Sequence, residues 1–331
     1  MNTFTDIGQF RTLIHNVKSN FDYQGQDESD EPIYRHEQPY PTLPFRGTVK
    51  LHGSNAGIVL YKDNHIEYQS RERVLSITQD NAGFMLHMLN VDVKSLFDNI
   101  PFNDNIAIFG EWCGSSIQKG VAITNLPKMW VIFAVKVDNV YQDMSNFKHL
   151  KMEDNRIFNI LQFPTFNIDI DFEHPEIAQN KLVELTIDVE TQCPVGKYFG
   201  VDGVGEGIVW EHINGSKRYI FKVKGEKHQS SKIKKLVSVD VEELNTINEF
   251  VDYALTESRL KQGVDKLREN GVEIDVKSTG AYLKWIANDV MKEEMDTIVK
   301  NQINVKKVGG VISQKARHFW LTFLNSEAGI K

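Results

Sequence analysis

A lysine, a histidine and a glycine within four residues form the pattern of clearest chemical meaning in this chain. They stand in the order Lys50-x-His52-Gly53-x-Asn55. The residues on both sides have the apolar, β-branched composition of strands, so the lysine is expected at a strand end and the glycine in the turn after it. A lysine in such a place can attack the phosphorus of a nucleotide. The short Lys-x-x-Gly pattern alone is more often an ordinary turn, so residues elsewhere must decide.

Two further lysines could assist such an attack. An amine that attacks phosphorus must be uncharged, whereas an unperturbed lysine is protonated at neutral pH, and nearby cations or burial favour the neutral form. Lys222 and Lys224 alternate along a predicted strand, so their side chains share one face and could bring two positive charges to a phosphate. A solvent-facing lysine pair on an edge strand fits the same pattern, which leaves both interpretations open.

A carboxylate is joined to these lysines through a predicted hairpin. The turn Asn214-Gly215 is typical of a two-residue connection, and it pairs Glu206 with Val223, on the face opposite to the two lysines. A register one residue longer pairs Glu206 with Lys224 instead. Because Glu206 is a candidate ligand for a divalent metal, we predict the longer register, or a bulge with the same effect. A Glu206 side chain that points away from Lys224 would argue strongly against this site.

Three more side chains could line a nucleotide site. Glu111 follows a predicted strand, where its carboxylate could accept hydrogen bonds from both hydroxyls of a ribose. Arg71 could offer its guanidinium to a phosphate, and the ring of Phe133 could stack on a base. A surface glutamate and a core phenylalanine are the ordinary alternatives. The order in which these residues occur along the chain is more informative than any of them alone.

The elements that must position these residues belong to a strand-rich first part. Residues 46 to 225 contain short β-branched or aromatic runs bounded by turn residues, which predicts antiparallel sheets with a few helices. No βαβ alternation and no Gly-x-Gly-x-x-Gly pattern occurs, which disfavours a Rossmann domain. We also expect a helix around residues 7 to 20 and an exposed loop over residues 24 to 33.

The last third of the chain has helical periodicity. We therefore predict an α+β protein, with an antiparallel-sheet domain at residues 1 to 235 and a small all-helical domain at residues 236 to 331. The aromatic residues of the helical part are expected in its core. The helix signals are a capping box at Asp240 and Glu243, a stop at Gly271, a start at Ser278 or Thr279, and a last helix after Gly309-Gly310.

Composition excludes several classes of protein. The 331 residues are 41% hydrophobic and 25% charged, which is ordinary for a soluble globular protein. We expect a cytoplasmic protein, because no run approaches the roughly 18 apolar residues of a membrane span and the first residues do not resemble a signal peptide. Cys113 and Cys193 are too few for a disulfide framework. The net charge of -7 argues weakly against general nucleic-acid coating, although the lysine-rich residues 222 to 235 could be either a contact patch or a solvated linker.

Taken in order, these motifs resemble those of the covalent lysyl-nucleotide transferases. The Lys-x-His-Gly-x-Asn form is most similar to the RNA ligase 2 family, which includes ligases of T-even phages and of trypanosome RNA editing. The resemblance covers residues 45 to 225 and the general plan of a helical C-terminal domain. The segments that carry it are Lys50 to Gly53, Ser70 to Arg73, Phe109 to Glu111, Trp130 to Val135, Glu206 to Val209 and Lys222 to Lys224.

The resemblance implies a phage-like, ATP-dependent RNA ligase of RNA repair that works as a monomer with Mg²⁺ or Mn²⁺. Lys50 would take AMP from ATP and then pass it to an RNA 5'-phosphate. In the last step an RNA 3'-hydroxyl would displace the AMP, at a nick or between free RNA ends. A phage protein would do so in the host cytoplasm. The implied contacts are Arg71 to phosphate or ribose, Glu111 to ribose, Phe133 to adenine, Glu206 to the metal, Lys222 and Lys224 to the α-phosphate, and Asn55 to the sealing chemistry or the metal's water shell.

One residue departs from the family pattern at the nucleotide. Val49 precedes the lysine, where the phage relative has an acidic side chain near the adenine amine. Base selection must then rest on backbone groups or on another residue. A GTP-dependent RNA-capping guanylyltransferase and a DNA ligase share the lysine chemistry, but both predict a β-rich OB domain where this chain has helices. A non-catalytic nucleic-acid-binding protein on the same fold is a further alternative.

Overall fold

The structure, a computed structural model, describes residues 1–228, 247–300 and 303–328. The chain divides into two compact units, Met1–Gly225 and Glu226–Lys331. Mainly antiparallel sheets build the first unit and helices build the second, so the predicted fold class is confirmed. The boundary between the units lies before the predicted one at residue 235, because the chain leaves the last strand directly after Lys224.

The strands of the first unit are joined by turns and short helices. In chain order the strands are β1 (Gly8–Gln9), β2 (Tyr23–Gln26), β3 (Pro32–Tyr34), β4 (Thr42–Lys50), β5 (Ser54–Tyr61), β6 (Ile66–Ser70), β7 (Asn105–Cys113), β8 (Met129–Val137), β9 (Val140–Gln142), β10 (Ile157–Asn159), β11 (Thr165–Asp171), β12 (Gly207–Asn214) and β13 (Lys217–Lys224). The helices are α1 (Phe10–Asp22), α2 (Phe84–Met88), α3 (Glu176–Thr191) and α4 (Pro194–Tyr198).

The first sheet carries the candidate lysines. Its strands lie in the order β1, β13, β12, β4 and β11, with only β1 parallel to its neighbour. One face is buried beneath α1, where the ring of Phe10 lies 5.0 Å from that of Phe221. Side chains alternate between the two faces of a strand, so Lys222 and Lys224 lie on the other face.

The second sheet faces the lysine side of the first. Its strands lie in the order β10, β8, β7, β5 and β6, with β9 paired to β8. The outer face packs against α2 in a large apolar core that includes Trp112 and Trp130. The inner face carries a smaller cluster around Phe109, and Ile220 of the first sheet packs against it. The inner faces of the two sheets therefore enclose a cleft within the first unit.

Two local predictions near the amino terminus differ in detail from the structure. The predicted first helix is present as α1, but it begins at Phe10 and not near residue 7, because Gly8 and Gln9 pair with β13 as an added strand. Residues 24 to 33 are not a plain loop, since β2 and β3 form a hairpin. Both hairpin strands are largely exposed, so they lack the apolar alternation by which a strand is recognised in sequence.

The second unit is a helical domain with its own core. Its described helices are α5 (Ile247–Ala254), α6 (Glu257–Glu269), α7 (Thr279–Lys300) and α8 (Val305–Ala328). The start at Thr279 and the stop at Gly271, which has a φ of 70°, are confirmed. Trp320 is fully buried and stacks 4.4 Å from Tyr282, as expected for a core residue. The predicted capping box at Asp240 and Glu243 lies outside the described residues.

The prediction of a helix that starts after Gly309-Gly310 is wrong. Helix α8 begins at Val305 and runs through both glycines. Each glycine costs a helix about 1 kcal/mol relative to alanine. Val308 and Ile312, one on each side of the pair, are fully buried on the face that packs into the core. Burial of this face offsets the glycine cost, which local propensity alone does not reveal.

A buried ion cluster holds α6 to α7. The fully buried guanidinium of Arg259 lies 2.9 Å from an oxygen of Asp289 and 3.1 Å from one of Glu294. Tyr253 also donates a hydrogen bond to Glu294. Removing one partner of a buried pair leaves the other charge uncompensated.

We therefore expect Arg259→Met to lower the free energy of unfolding of the helical unit by about 3–5 kcal/mol. Urea titration of the full chain, followed by circular dichroism at 222 nm, measures this change. Lys261→Met is the matched control, because Lys261 forms an exposed pair with Glu257 and such pairs contribute at most about 1 kcal/mol. Equal effects of the two substitutions would contradict the proposed importance of burial.

Candidate active site

Strand pairing places two of the candidate lysines on either side of one glycine. Gly207 of β12 pairs with Lys50 of β4 and also with Lys224 of β13. Two residues further along β12, Val209 pairs with Lys222. Because positions two apart share a face, the structure brings Lys50, Lys222 and Lys224 together on the cleft side of the first sheet.

Glu206 lies among these cations. One of its carboxylate oxygens is 2.7 Å from Lys50 Nζ and 3.4 Å from His52 Nδ1, and the other is 3.3 Å from Lys224 Nζ. The side chain is only 3% exposed. Burial alone raises the pKa of this carboxyl, but the charges of Lys50 and Lys224, together with His52, hold the pKa well below its usual range. The site therefore has one ionised, buried carboxylate in contact with two lysines.

The predicted hairpin register is wrong, although the contact it was meant to explain is present. The observed turn is Gly215-Ser216, because Asn214 pairs with Lys217, so Lys224 lies opposite Gly207 and not opposite Glu206. In a regular ladder this register would turn Glu206 away from Lys224.

The backbone at Gly207 restores the contact. Its φ is 150°, a conformation that favours glycine, and a Cβ there would lie 2.1 Å from the carbonyl oxygen of Val223. The peptide turns at this residue and directs the preceding carboxylate of Glu206 toward the lysines. The ladder between β12 and β13 is regular, so neither the longer register nor the bulge predicted from the sequence is present, and the contact depends on the backbone of Gly207 instead.

The loop after Lys50 is held by Glu111. The backbone N–H of Gly53 donates a 2.9 Å hydrogen bond to the Glu111 carboxylate. A Cβ on Gly53 would lie 2.4 Å from the carbonyl oxygen of Trp112, so the loop passes too close to β7 for any larger residue. Asn55 pairs with Glu111 across the strands. Its side-chain nitrogen is buried without a hydrogen-bond partner among the described residues, as expected for a group that meets a bound ligand or water.

Phe133 owes its position to a β-bulge. Phe109 of β7 pairs with Ala134 and Gly110 pairs with Ile132, so Phe133 is the extra residue in β8. A bulge allows neighbouring residues to face the same side. Phe133 and Ala134 both pack with the inner-face cluster around Phe109, and Phe133 remains only partly buried. Its ring therefore lies at the cleft.

Two residues predicted from the sequence to bind the nucleotide, Val49 and Arg71, do not lie within the cluster of lysines around Glu206. The side chain of Val49 is buried and alternates with Lys50, so it points into the core on the opposite face and can offer only its backbone to the site. The guanidinium of Arg71 lies 2.9 Å from the carboxylate of Asp6. The lysine-rich patch was expected to continue through Lys232, Lys234 and Lys235, and these residues lie outside the described part of the chain.

Sequence reasoning gave no role to three residues that shape this site. His52 was part of the recognised motif, but its contact with Glu206 depends on tertiary structure. Gly207 follows Glu206, and its close approach to β13 has no signal in a single sequence. Asp6 lies far from Arg71 along the chain, and no motif marks it.

Neither a preformed metal cluster nor a membrane-crossing helix occurs in the described residues. No group of three or more His, Cys, Asp or Glu residues there could hold a metal ion. No described helix is both long and apolar enough to cross a bilayer. Mg²⁺ at nucleotide sites is usually held by one or two carboxylates together with substrate phosphates, so the single ionised carboxylate of Glu206 fits that type of site.

A family model described as RNA ligase matches residues 43–224, which is more than half of the chain. The chain belongs to the RNA ligase family. The matched range of this RNA ligase family protein contains the three lysines, Glu206 and, apart from Thr42, the strands β4, β11, β12 and β13 of the first sheet. A comparison with curated proteins finds no match.

Solved structures of Naegleria gruberi RNA ligase are similar to this chain at low sequence identity. The structure with pyrophosphate is 21% identical, with a TM-score of 0.44. A mutant with AMP and Mn is 19% identical, with a TM-score of 0.45. Each match covers 67% of this chain and 55% of the Naegleria chain. The chain therefore spans about half the length of these solved relatives.

Proposed function

We propose that this RNA ligase family protein is an ATP-dependent RNA ligase of the RNA ligase 2 type. It would join 5'-phosphate and 3'-hydroxyl RNA ends through a lysyl-AMP and an RNA-adenylate. The observation that carries the proposal is the contact of Lys50 and Lys224 with the buried carboxylate of Glu206. Ordinary surface lysines do not share one enclosed carboxylate across three adjacent strands. The Lys-x-His-Gly-x-Asn motif supports the RNA ligase 2 type.

In the first step, Lys50 Nζ forms a bond to the α-phosphorus of ATP while the bond to pyrophosphate breaks. The ammonium must lose its proton to water before the attack, and the positive charge of Lys224, beside the same carboxylate of Glu206, favours the neutral amine. Lys222 and Lys224 lie on the same face, where their charges stabilise the negative charge that develops on the phosphate. The AMP would then pass to the RNA 5'-phosphate, and the 3'-hydroxyl would displace it.

The residues around Lys50 fit a divalent metal and a nucleotide. Glu206 would bind Mg²⁺ or Mn²⁺, which neutralises phosphate charge when bound. The buried side-chain nitrogen of Asn55 would meet a water of the metal or the nucleotide. Glu111 would hold the ribose while it also fixes the loop of Gly53. Phe133, raised into the cleft by the bulge, would stack on adenine.

The helical unit is proposed to engage the RNA substrate, as in the general plan of the RNA ligase 2 family. The substrate would be a nicked duplex or free RNA ends. Sealing assays on nicked duplexes with RNA or DNA on the 3'-hydroxyl side distinguish these substrates. The expected cytoplasmic location and monomeric state stay predictions.

Self-labelling tests the central proposal. The protein is incubated with Mg²⁺ and α-labelled ATP or GTP, and then separated by denaturing electrophoresis. Label from ATP that withstands alkali but is released by acid, as expected for a phosphoramidate bond to a lysine, is the expected result. Label from GTP alone would identify a capping-type guanylyltransferase instead, and the absence of label from either nucleotide would contradict both readings of the lysine site.

The same assay tests the proposed role of the positive charges of Lys222 and Lys224. Lys224→Ala and Lys222→Ala should each slow self-labelling, by about 100- to 1,000-fold if each lysine acts as one preorganised donor to the phosphate. Lys217→Ala is the matched control, because Lys217 is exposed at the far end of the same strand. Single-turnover labelling rates at saturating ATP measure the effect. Unchanged rates in both site variants would contradict the proposed phosphate contacts.

A further inference from the structure

Residues 2 to 9, which we call the amino-terminal strap, are anchored first on the second sheet. The backbone N–H of Asn2 donates to the side chain of Gln69, and the Asn2 amide donates to Asn105 at 2.8 Å. Lys136 donates to the carbonyl oxygen of Thr3. Asn2 is only 8% exposed. Buried hydrogen bonds of this kind hold the start of the strap in one position.

The middle of the strap lies in the cleft between the sheets. The ring of Phe4 is 5% exposed, and its centroid lies 5.1 Å from that of Phe133 and 5.5 Å from that of Phe109. On the opposite side, the guanidinium of Arg218 in the first sheet lies 5.3 Å from the Phe4 ring. Phe4 therefore fills the space between the two sheets next to the ring proposed to stack on adenine.

The end of the strap reaches two more elements of the proposed nucleotide site. The carboxylate of Asp6 lies 2.9 Å from the guanidinium of Arg71. Gly8 and Gln9 then pair with Phe221 and Lys222 of β13. The strap thus contacts Phe133, Arg71 and the strand of Lys222, although all of it precedes the residues matched by the family model.

The position of Phe4 along the cleft can be located from the residues of β13 that face it. Ile220, Lys222 and Lys224 share one face, at steps of about 7 Å. Ile220 packs with Phe4 in the inner cluster, whereas Lys224 lies at the level of Glu206. Lys222 is between them, paired with Val209. A nucleotide with its phosphate at Lys224 and its base near Phe133 would therefore end against Phe4.

We propose that the amino-terminal strap forms the floor of the base pocket, with Phe4 and Asp6 as positioning residues for ATP. This inference rests on the proposed adenylyltransferase function. Phe133 is a bulged residue with no partner on β7, so the contact with Phe4 fixes its ring. Arg71 follows the end of β6, and the ion pair with Asp6 restricts its side chain before ATP arrives. Both contacts reduce the ordering that binding would otherwise require.

The test measures the rate of self-labelling against ATP concentration. Phe4→Ala should raise the half-saturating ATP concentration about 3- to 10-fold, with the maximal rate within about 2-fold of wild type. Phe4→Tyr should restore most of the affinity, because it keeps the ring. Asp6→Ala should raise the same concentration about 3-fold, and Asp6→Glu should restore it. Glu184→Ala, which removes an equally exposed ion-paired carboxylate on α3, should change nothing.

The outcomes separate this inference from the proposed function. Wild-type protein that takes no label from ATP overturns the proposed function, and the strap role with it. Labelled wild type together with unchanged ATP dependence in Phe4→Ala and Asp6→Ala overturns the strap role alone. A lower maximal rate with unchanged half-saturation would indicate a general structural effect and would also overturn it. If Phe4→Ala does not fold, the half-exposed Asp6 decides, because its removal leaves the core intact.

Discussion

Replacing Lys50 by alanine is expected to abolish the covalent nucleotide adduct completely. Lys50 Nζ is the proposed nucleophile, and neither Lys224 nor Lys222 can take its place at the strand end beside the Gly53 loop. Lys50→Arg should be equally inactive, because a guanidinium keeps the positive charge but remains protonated and does not attack. This pair of variants separates the loss of a nucleophile from the loss of a charge.

The measurement combines labelling with mass spectrometry of the peptide that contains residue 50. A mass increase of one AMP on that peptide is expected in wild type and in neither variant. Lys50→Ala should still seal an RNA whose 5'-phosphate already carries AMP, since the last step uses the RNA 3'-hydroxyl as nucleophile. An adduct at another lysine in Lys50→Ala would refute the assignment of Lys50.

The substitution Gly207→Ala should slow self-labelling by at least about 100-fold, a loss typical of reacting groups displaced by about 1 Å. The added Cβ would lie 2.1 Å from the carbonyl oxygen of Val223 and 2.8 Å from the Lys224 Cα, and the φ of 150° disfavours any side chain. The backbone must move, which displaces Glu206 from the two lysines it contacts.

Gly200→Ala is the matched control for Gly207→Ala. Gly200 also has a positive φ, 74°, but no atom lies within 4 Å of the position its Cβ would take. Its substitution should cost about 1–3 kcal/mol of stability from backbone strain and leave the labelling rate near wild type. Single-turnover labelling and thermal unfolding of both variants measure the difference. A wild-type labelling rate in Gly207→Ala would show that the position of Glu206 is not critical.

Short-range patterns revealed most of the elements of this protein. The alternation of Lys222 and Lys224, the strand before Lys50 and the apolar spacing around Tyr282 depend only on neighbours in the chain, and each lies in the element that was predicted. The same reasoning was wrong where burial outweighs propensity. Helix α8 continues through Gly309-Gly310 because its apolar face is buried in the core.

The pairing register of β12 and β13 was the feature that local sequence patterns predicted least well. Asn214-Gly215 and the observed Gly215-Ser216 are both acceptable two-residue turns. They shift the pairing by two residues, and in a regular ladder both would turn Glu206 away from Lys224. The choice depends on packing of the whole sheet against α1 and the second sheet. The unusual backbone of Gly207 then returns Glu206 to the lysine side, and no sequence rule predicts its φ.

The sequence by itself determined the chemical groups and the face on which the two lysines of β13 lie, because residue type and the two-residue period of a strand are local properties. Tertiary structure alone decided that Glu206 is buried between Lys50 and Lys224, that a bulge turns Phe133 toward the cleft, and that the strap reaches both sheets. Each of these features depends on contacts between residues far apart in the chain. Their energies come from burial and charge pairing, which exist only after the sheets have packed together.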